Sequence, residues 1–152
     1  MLIFVDKQSE ADELFKELLK NGYPSLLLHG GVDATDREFT IHDFKKRVLN
    51  MMVATSVCAR GIDIPHISHV INFQCPNHME DYIHRVGRTG RAGKHGTATT
   101  FITPDEDKYS LDLSRALKNS NTQIPEALLE LVEAFKKKVS TGEAKYHANY
   151  II

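Results

Sequence analysis

Leu2-Ile3-Phe4-Val5-Asp6-Lys7-Gln8-Ser9-Glu10-Ala11-Asp12-Glu13-Leu14-Phe15-Lys16-Glu17-Leu18-Leu19-Lys20-Asn21-Gly22 changes its periodicity part-way along. Leu2 to Val5 is an unbroken apolar run, as in a strand buried on both faces. After Asp6 the apolar residues Ala11, Leu14, Phe15, Leu18 and Leu19 recur at helical spacing, which gives one apolar stripe. Asn21-Gly22 then stops the helix. A doubly buried strand followed at once by an amphipathic helix is the first half of a βαβ unit, and it predicts a parallel sheet with helices on both faces.

The rest of the chain repeats this alternation. Leu26-Leu27-Leu28 reads as a second strand ending at His29-Gly30-Gly31. Thr35-x-x-Glu38 reads as a capping box, and Ile41, Phe44 and Val48 as the inner face of the helix it starts. Met51 to Ala54 and Val70 to Phe73 are further strands. Asn77-x-x-Glu80 is expected to cap a helix carrying Met79, Ile83 and Val86, which Gly87 and Gly90 end. Thr97 to Ile102 is a β-branched strand. Thr103-Pro104-Asp105-Glu106 combines an N-cap, Pro at the first helical position and a capping box. A last helix starts at Pro125 and packs Leu128, Leu131, Val132 and Phe135. The expectation is an α/β fold, with one domain over residues 1–139 and a tail over 140–152 where the pattern fades. The chain opens inside a strand, which suggests a piece of a longer protein.

Composition narrows the function. The 152 residues carry 19 Lys+Arg against 20 Asp+Glu, a net charge of −1, so a generic basic nucleic-acid coat is out. The hydrophobic share of 41% excludes wholesale disorder. No apolar run reaches the length of a membrane span, and no signal-peptide pattern opens the chain. Cys58 and Cys75 are the only cysteines, which rules out a disulfide framework and fits a reducing compartment. The neutral average hides a gradient: residues 39–104 hold four acids and eight bases, while residues 1–38 hold eight acids and four bases. Between Asp81 and Asp105 there is no acid, and Arg85, Arg88, Arg91 and Lys94 all fall there.

Ligands of open parallel sheets bind at the carboxyl ends of the strands. Four such ends are short and polar: Asp6-Lys7, His29-Gly30-Gly31, Thr55-Ser56 and Gln74-Cys75. The densest signal is His84-Arg85-Val86-Gly87-Arg88-Thr89-Gly90-Arg91-Ala92-Gly93. Arg85 and Arg88 share a helix face, and the glycines end the helix and bring Arg91 alongside. Three forked guanidiniums near one point suit a polyphosphate, which they grip bidentately; a solvated basic helix end is the plainer alternative. Asp63 in Arg60-Gly61-Ile62-Asp63 is placed to accept hydrogen bonds from a ribose or to hold Arg60. Other chemistries fail on spacing. The nearest thing to a P-loop, Gly87-x5-Gly93-Lys94-His95, is one residue too long and lacks the hydroxyl. His66, His69, Cys75 and His78 have a zinc-like rhythm without a compact knuckle.

In this order the pieces resemble the second, C-terminal RecA-like domain of DEAD-box RNA helicases, over about residues 2–138. Leu2 to Lys7 resembles the strand motif that opens that domain, and His29-Gly30-Gly31 with Asp36-Arg37 the next. Ala54-Thr55-Ser56-Val57-Cys58-Ala59-Arg60-Gly61-Ile62-Asp63 is similar to motif V, and Tyr82 to Arg91 to motif VI. The resemblance implies a three-layer α/β/α RecA-like domain with a mostly parallel sheet. It implies that Arg88 and Arg91 reach the γ-phosphate of ATP as arginine fingers and that Asp63 takes the ribose. It also implies that Arg85 contacts the partner domain, and that Gly30, Arg37 and Thr55 touch RNA phosphates. ATP would come with Mg2+, whose ligands would lie on an N-terminal RecA-like domain that also supplies the P-loop. Two positions depart from the family: Ala34, where Gln is common, and Gln74, where an Asp commonly follows the strand.

Leu28 to Asp33, Asn72 to His78 and Ile124 to Leu129 are similar to the DEAD-box helicases of early spliceosome assembly. That implies pre-mRNA splicing, spliceosomal partners and the nucleus. The expected function is one half of an ATP-dependent RNA helicase, monomeric and inactive alone. A DNA helicase lobe and a non-catalytic binding module are the alternatives.

Overall fold

The computed structural model describes residues 1–60, 64, 67–91 and 93–146. The chain forms two compact units. The first comprises Met1–Gln74 and Ile83–Phe101, the second Cys75–Tyr82 and Ile102 onward.

The first unit is built on five strands, β1 (Leu2–Val5), β2 (Leu26–Leu28), β3 (Met52–Thr55), β4 (His69–Asn72) and β5 (Thr97–Thr100). All pair in parallel, in the order β2-β3-β1-β4-β5. β1 is central because its four residues are apolar on both sides, and all four are buried. Helix α1 (Gln8–Lys20) covers one face, with Ala11, Leu14 and Leu18 against Ile3, Val5 and Val53. It ends as read: Gly22 takes φ +81, and the Gly22 and Tyr23 amides return to the Leu19 and Leu18 carbonyls. Helices α2 (Ala34–Lys46) and α3 (Ser56–Ala59) cover the other face, over Leu2, Phe4, Met52, Ala54 and Val70. The α/β layering read from the sequence is therefore observed, with every strand parallel.

Three local readings are corrected. The cap of α2 is Asp33, whose side chain accepts from the Thr35 amide, so Thr35 sits within the first turn. An Asp two residues earlier takes the Thr35 amide, one of the orphan donors of the first turn. Phe44 is buried, but Val48 is 64% exposed, because Arg47 turns left-handed (φ 58) and ends the helix before it. In α4 (Met79–Val86) the first helical bond runs from the Tyr82 amide to the His78 carbonyl, so His78, not Asn77, is at the cap. The register of α2 makes a testable difference. Phe44→Ala should destabilise by about 3–5 kcal/mol, while Val48→Ser should stay within about 0.5 kcal/mol, both read by urea denaturation.

The second unit holds a 3-10 turn (Pro104–Tyr109), α5 (Ser110–Asn119) and α6 (Glu126–Ser140). Cys75, Leu113 and Leu128 form its core, with Tyr82, Ile102, Tyr109, Leu117 and Ile124 packed against them. Thr103 and Glu106 make the expected capping box. Asp107, one residue further on, is buried and paired with Lys138. Residues 141–146, read as tail, carry Tyr146, which packs edge-on against Phe135 and donates to Asp112 Oδ1 (2.9 Å). Among the described residues, no helix is long and apolar enough to cross a membrane.

Candidate functional site

In a parallel sheet all carboxyl ends lie along one edge. Here that edge gathers Asp6 after β1, His29-Gly30 after β2, Thr55-Ser56 at the end of β3 and Phe73-Gln74 after β4. β1 and β3 are neighbours, yet their following helices α1 and α3 leave on opposite faces. That makes the gap between Val5-Asp6 and Thr55-Ser56 the topological switch point, where open α/β sheets bind ligands.

Arg85 is seated at this switch point. Its Nη2 donates to Asp6 Oδ1 (2.6 Å), its Nε to Ser56 Oγ (2.7 Å) and its Nη1 to the Gln74 carbonyl (3.2 Å). The guanidinium carbon lies 5.4 Å from the centre of the Phe4 ring, and the residue is 3% exposed. A buried arginine is tolerable only when its donors are met, and here three strand ends and an aromatic face meet them. This corrects one expectation: Arg85, buried with its donors engaged inside the chain, does not join Arg88 and Arg91 in a three-fold grip. Its fork is turned inward and used.

Arg88 and Arg91 follow α4, both half-buried. Arg88 Nε donates to the His84 carbonyl (3.1 Å) and Arg91 Nε to the Gly87 carbonyl (2.7 Å). The last carbonyls of a helix lack intrahelical partners and carry partial negative charge, so they anchor both guanidinium planes. Gly87 is needed at the helix end, because a Cβ there would lie 2.9 Å from the Ile83 carbonyl. The Thr89 hydroxyl ties the same loop to the Ile67 carbonyl (2.6 Å).

The other expected residues sit further along the edge. His29 accepts from the Gly31 amide at Nδ1 (3.1 Å) and faces Asp12 Oδ1 from Nε2 (3.1 Å), which assigns the ring proton to Nε2 and fixes the turn bearing the exposed Gly30. Thr55 is buried at the end of β3, with no side-chain cap bond. Arg37 lies in the first turns of α2, its Nε buried and without a hydrogen-bond partner. Asp63 and His66 lie outside the described residues.

Sequence reasoning marked Asp6, Ser56 and Gln74 only as strand-end residues and Thr89 only as part of a motif, without the contacts they make, and it missed Gly96. A Cβ on Gly96 would fall 2.1 Å from Thr89 Oγ1 and 2.4 Å from the Gly90 nitrogen, so the motif VI loop closes directly on it. Its signal was a lone glycine at the mouth of a β-branched strand, a common mark of close backbone approach.

The helicase conserved C-terminal domain family matches residues 1–93. The chain belongs to that family. It is 33% identical to the C-terminal domain of the DEAD-box protein Dbp5, with a TM-score of 0.69, covering 90% of this chain and 81% of that one. Against the yeast DEAD-box splicing factor Prp28 the TM-score is 0.76 at 34% identity, over 86% of this chain and 30% of that structure. In sequence it is 51% identical over 144 residues to the pre-mRNA-processing ATP-dependent RNA helicase prp5 of Emericella nidulans, covering 95% of this chain. The chain spans 12% of that relative's length. These matches make it a RecA-like C-terminal domain of the DEAD-box type.

Proposed function

We propose that this domain is the C-terminal half of the motor of an ATP-dependent RNA helicase acting in pre-mRNA processing, and hence in the nucleus. The observation that carries this reading is the motif VI segment, seated through Arg85 at the β1/β3 switch point with Arg88 and Arg91 anchored beyond it.

In this mechanism ATP and RNA bind between two RecA-like domains, and closure brings Arg88 and Arg91 to the γ-phosphate. Planar forks suit the three equatorial oxygens of a transferring phosphoryl group, on which charge spreads in the transition state. Asp63 takes the ribose. The companion domain supplies the P-loop and the Mg2+ ligands. Gly30, Arg37 and Thr55 hold RNA by its phosphates. The orphaned Arg37 Nε supports this, because a buried donor without a partner marks a place where an acceptor belongs. Spliceosomal proteins are the expected partners.

The test is ATP hydrolysis and strand separation by the helicase that carries this domain. Turnover should rise with RNA, and RNA duplexes should be opened where DNA duplexes of the same sequence are not. Equal stimulation by DNA would favour a DNA translocase, and RNA binding without any hydrolysis a docking module. The 152-residue chain alone should release phosphate only at background. Its RNA affinity should be weak, on the order of 10⁻⁴–10⁻⁶ M, should fall with salt and should not depend on sequence.

A further inference from the structure

We propose that Asp6 and Gln74 are positioning residues for Arg88 and Arg91, acting through Arg85 as one unit in which position 6 supplies the carboxylate and position 74 the amide. The inference rests on the reading of Arg88 and Arg91 given above.

Two links join the pair. Asp6 holds Arg85 through its carboxylate, and its backbone amide donates to Gln74 Oε1 (2.6 Å). Gln74 holds Arg85 through its carbonyl (3.2 Å). The two residues thus brace Arg85 from the neighbouring strands β1 and β4, while Ser56 braces it from β3. Arg85 lies in the last turn of α4, and Arg88 and Arg91 hang from the carbonyls at that end. A change in how Arg85 is held therefore moves the two anchoring carbonyls and the guanidiniums with them.

The chemistry at position 74 is matched to its surroundings. Glu10 stands close by: burial raises its carboxyl, but hydrogen bonds from the Gln74 side chain and the Lys7 amide, together with the Lys7 charge, hold it below the ordinary value. Gln74 therefore accepts from the Asp6 amide through Oε1, a bond to which its neutral side chain brings no charge. A carboxylate at position 74 would put a third negative charge beside Asp6 and Glu10. Asp6 thus supplies a carboxylate to Arg85 at 2.6 Å, and the amide at position 74 adds no charge beside it.

The test uses the intact helicase and six variants, with kcat expressed per folded molecule and the fold checked by thermal melting. Asp6→Asn should lower kcat roughly 10- to 100-fold, the scale of an ångström's misplacement, with KM for ATP little changed. Gln74→Asp alone should also lower kcat. Asp6→Asn with Gln74→Asp restores a single carboxylate to the pair that flanks Arg85 and should return kcat to within about threefold of the parent. A merely structural role would not give this reciprocal rescue. Ser56→Ala removes one acceptor without disturbing the charges; it keeps the question open to measurement if Asp6→Asn melts, and should lower kcat severalfold. Unchanged kcat in Asp6→Asn, or in Ser56→Ala where Asp6→Asn does not fold, overturns the inference when Arg88→Ala is impaired. So does a double variant no better than Asp6→Asn. Unchanged kcat in Arg88→Ala and Arg91→Ala overturns the underlying functional reading instead.

Discussion

Arg88→Ala or Arg91→Ala in the intact helicase is expected to lower kcat by about 10³-fold or more, with the domain still folded. The expectation follows from where each side chain is anchored. The bond from Nε to a helix-end carbonyl fixes the guanidinium plane before any ligand arrives, so little orientation remains to be lost in the transition state. The hydrogen bond to the carbonyl that each side chain gives up is worth about 0.5–1.5 kcal/mol, and the melt should shift far less than kcat. Lys should not substitute. It lacks both the Nε anchor and the planar fork, so Arg91→Lys should resemble Arg91→Ala in kcat while keeping the charge. Single-turnover hydrolysis separates the chemical step from nucleotide binding, and KM for ATP should move far less than kcat. If Arg88→Ala unfolds the domain and leaves turnover per folded molecule intact, its contact with the His84 carbonyl is its whole role.

The contrast between Arg85 and Arg88 shows how far the sequence could be read. Their spacing puts both on one side of a helix, and the string around them is dense enough to mark the segment for anion chemistry. Which way the first of them turns depends on Asp6 and Ser56, which lie 79 and 29 residues away. No local pattern carries that information. The strands were legible for the opposite reason: Leu2 to Val5 announces burial on both faces within four residues, and the register with Met52–Thr55 then follows from a central position. Helix ends lie between these cases. Gly22 was readable because its left-handed turn leaves few other residues possible, whereas Thr35 lost the cap of α2 to Asp33 because two residues of capping type stand two apart and either could start the helix. Ser56 and Gln74 were visible as polar strand ends, and Gln74 as a departure from the family, but neither reading named Arg85 as what they meet. Each matters only through what the fold sets beside it.

A second large effect is expected at Gly96, and its cause is steric. A methyl group on Gly96 would stand 2.1 Å from Thr89 Oγ1 and 2.4 Å from the Gly90 nitrogen, far inside any real contact. The threonine could rotate away, but only by leaving the Ile67 carbonyl, and the Gly90 nitrogen is backbone and cannot yield without moving the loop. Gly96→Ala should therefore destabilise by about 2–4 kcal/mol, combining overpacking with a lost hydrogen bond. Because that loop runs from Arg88 to Arg91, a displacement of about an ångström should also lower kcat on the order of 10²-fold in the molecules that remain folded. Gly90→Ala provides the control. Gly90 has φ +68 but nothing closer than 3.8 Å to a Cβ, so it carries backbone strain of roughly 1–2 kcal/mol without a clash. Urea denaturation and single-turnover hydrolysis on both variants separate the two causes. Gly96→Ala should be the more damaging in stability and in rate, and equal losses would mean that strain at the turn, rather than contact between its two sides, governs how this loop is held.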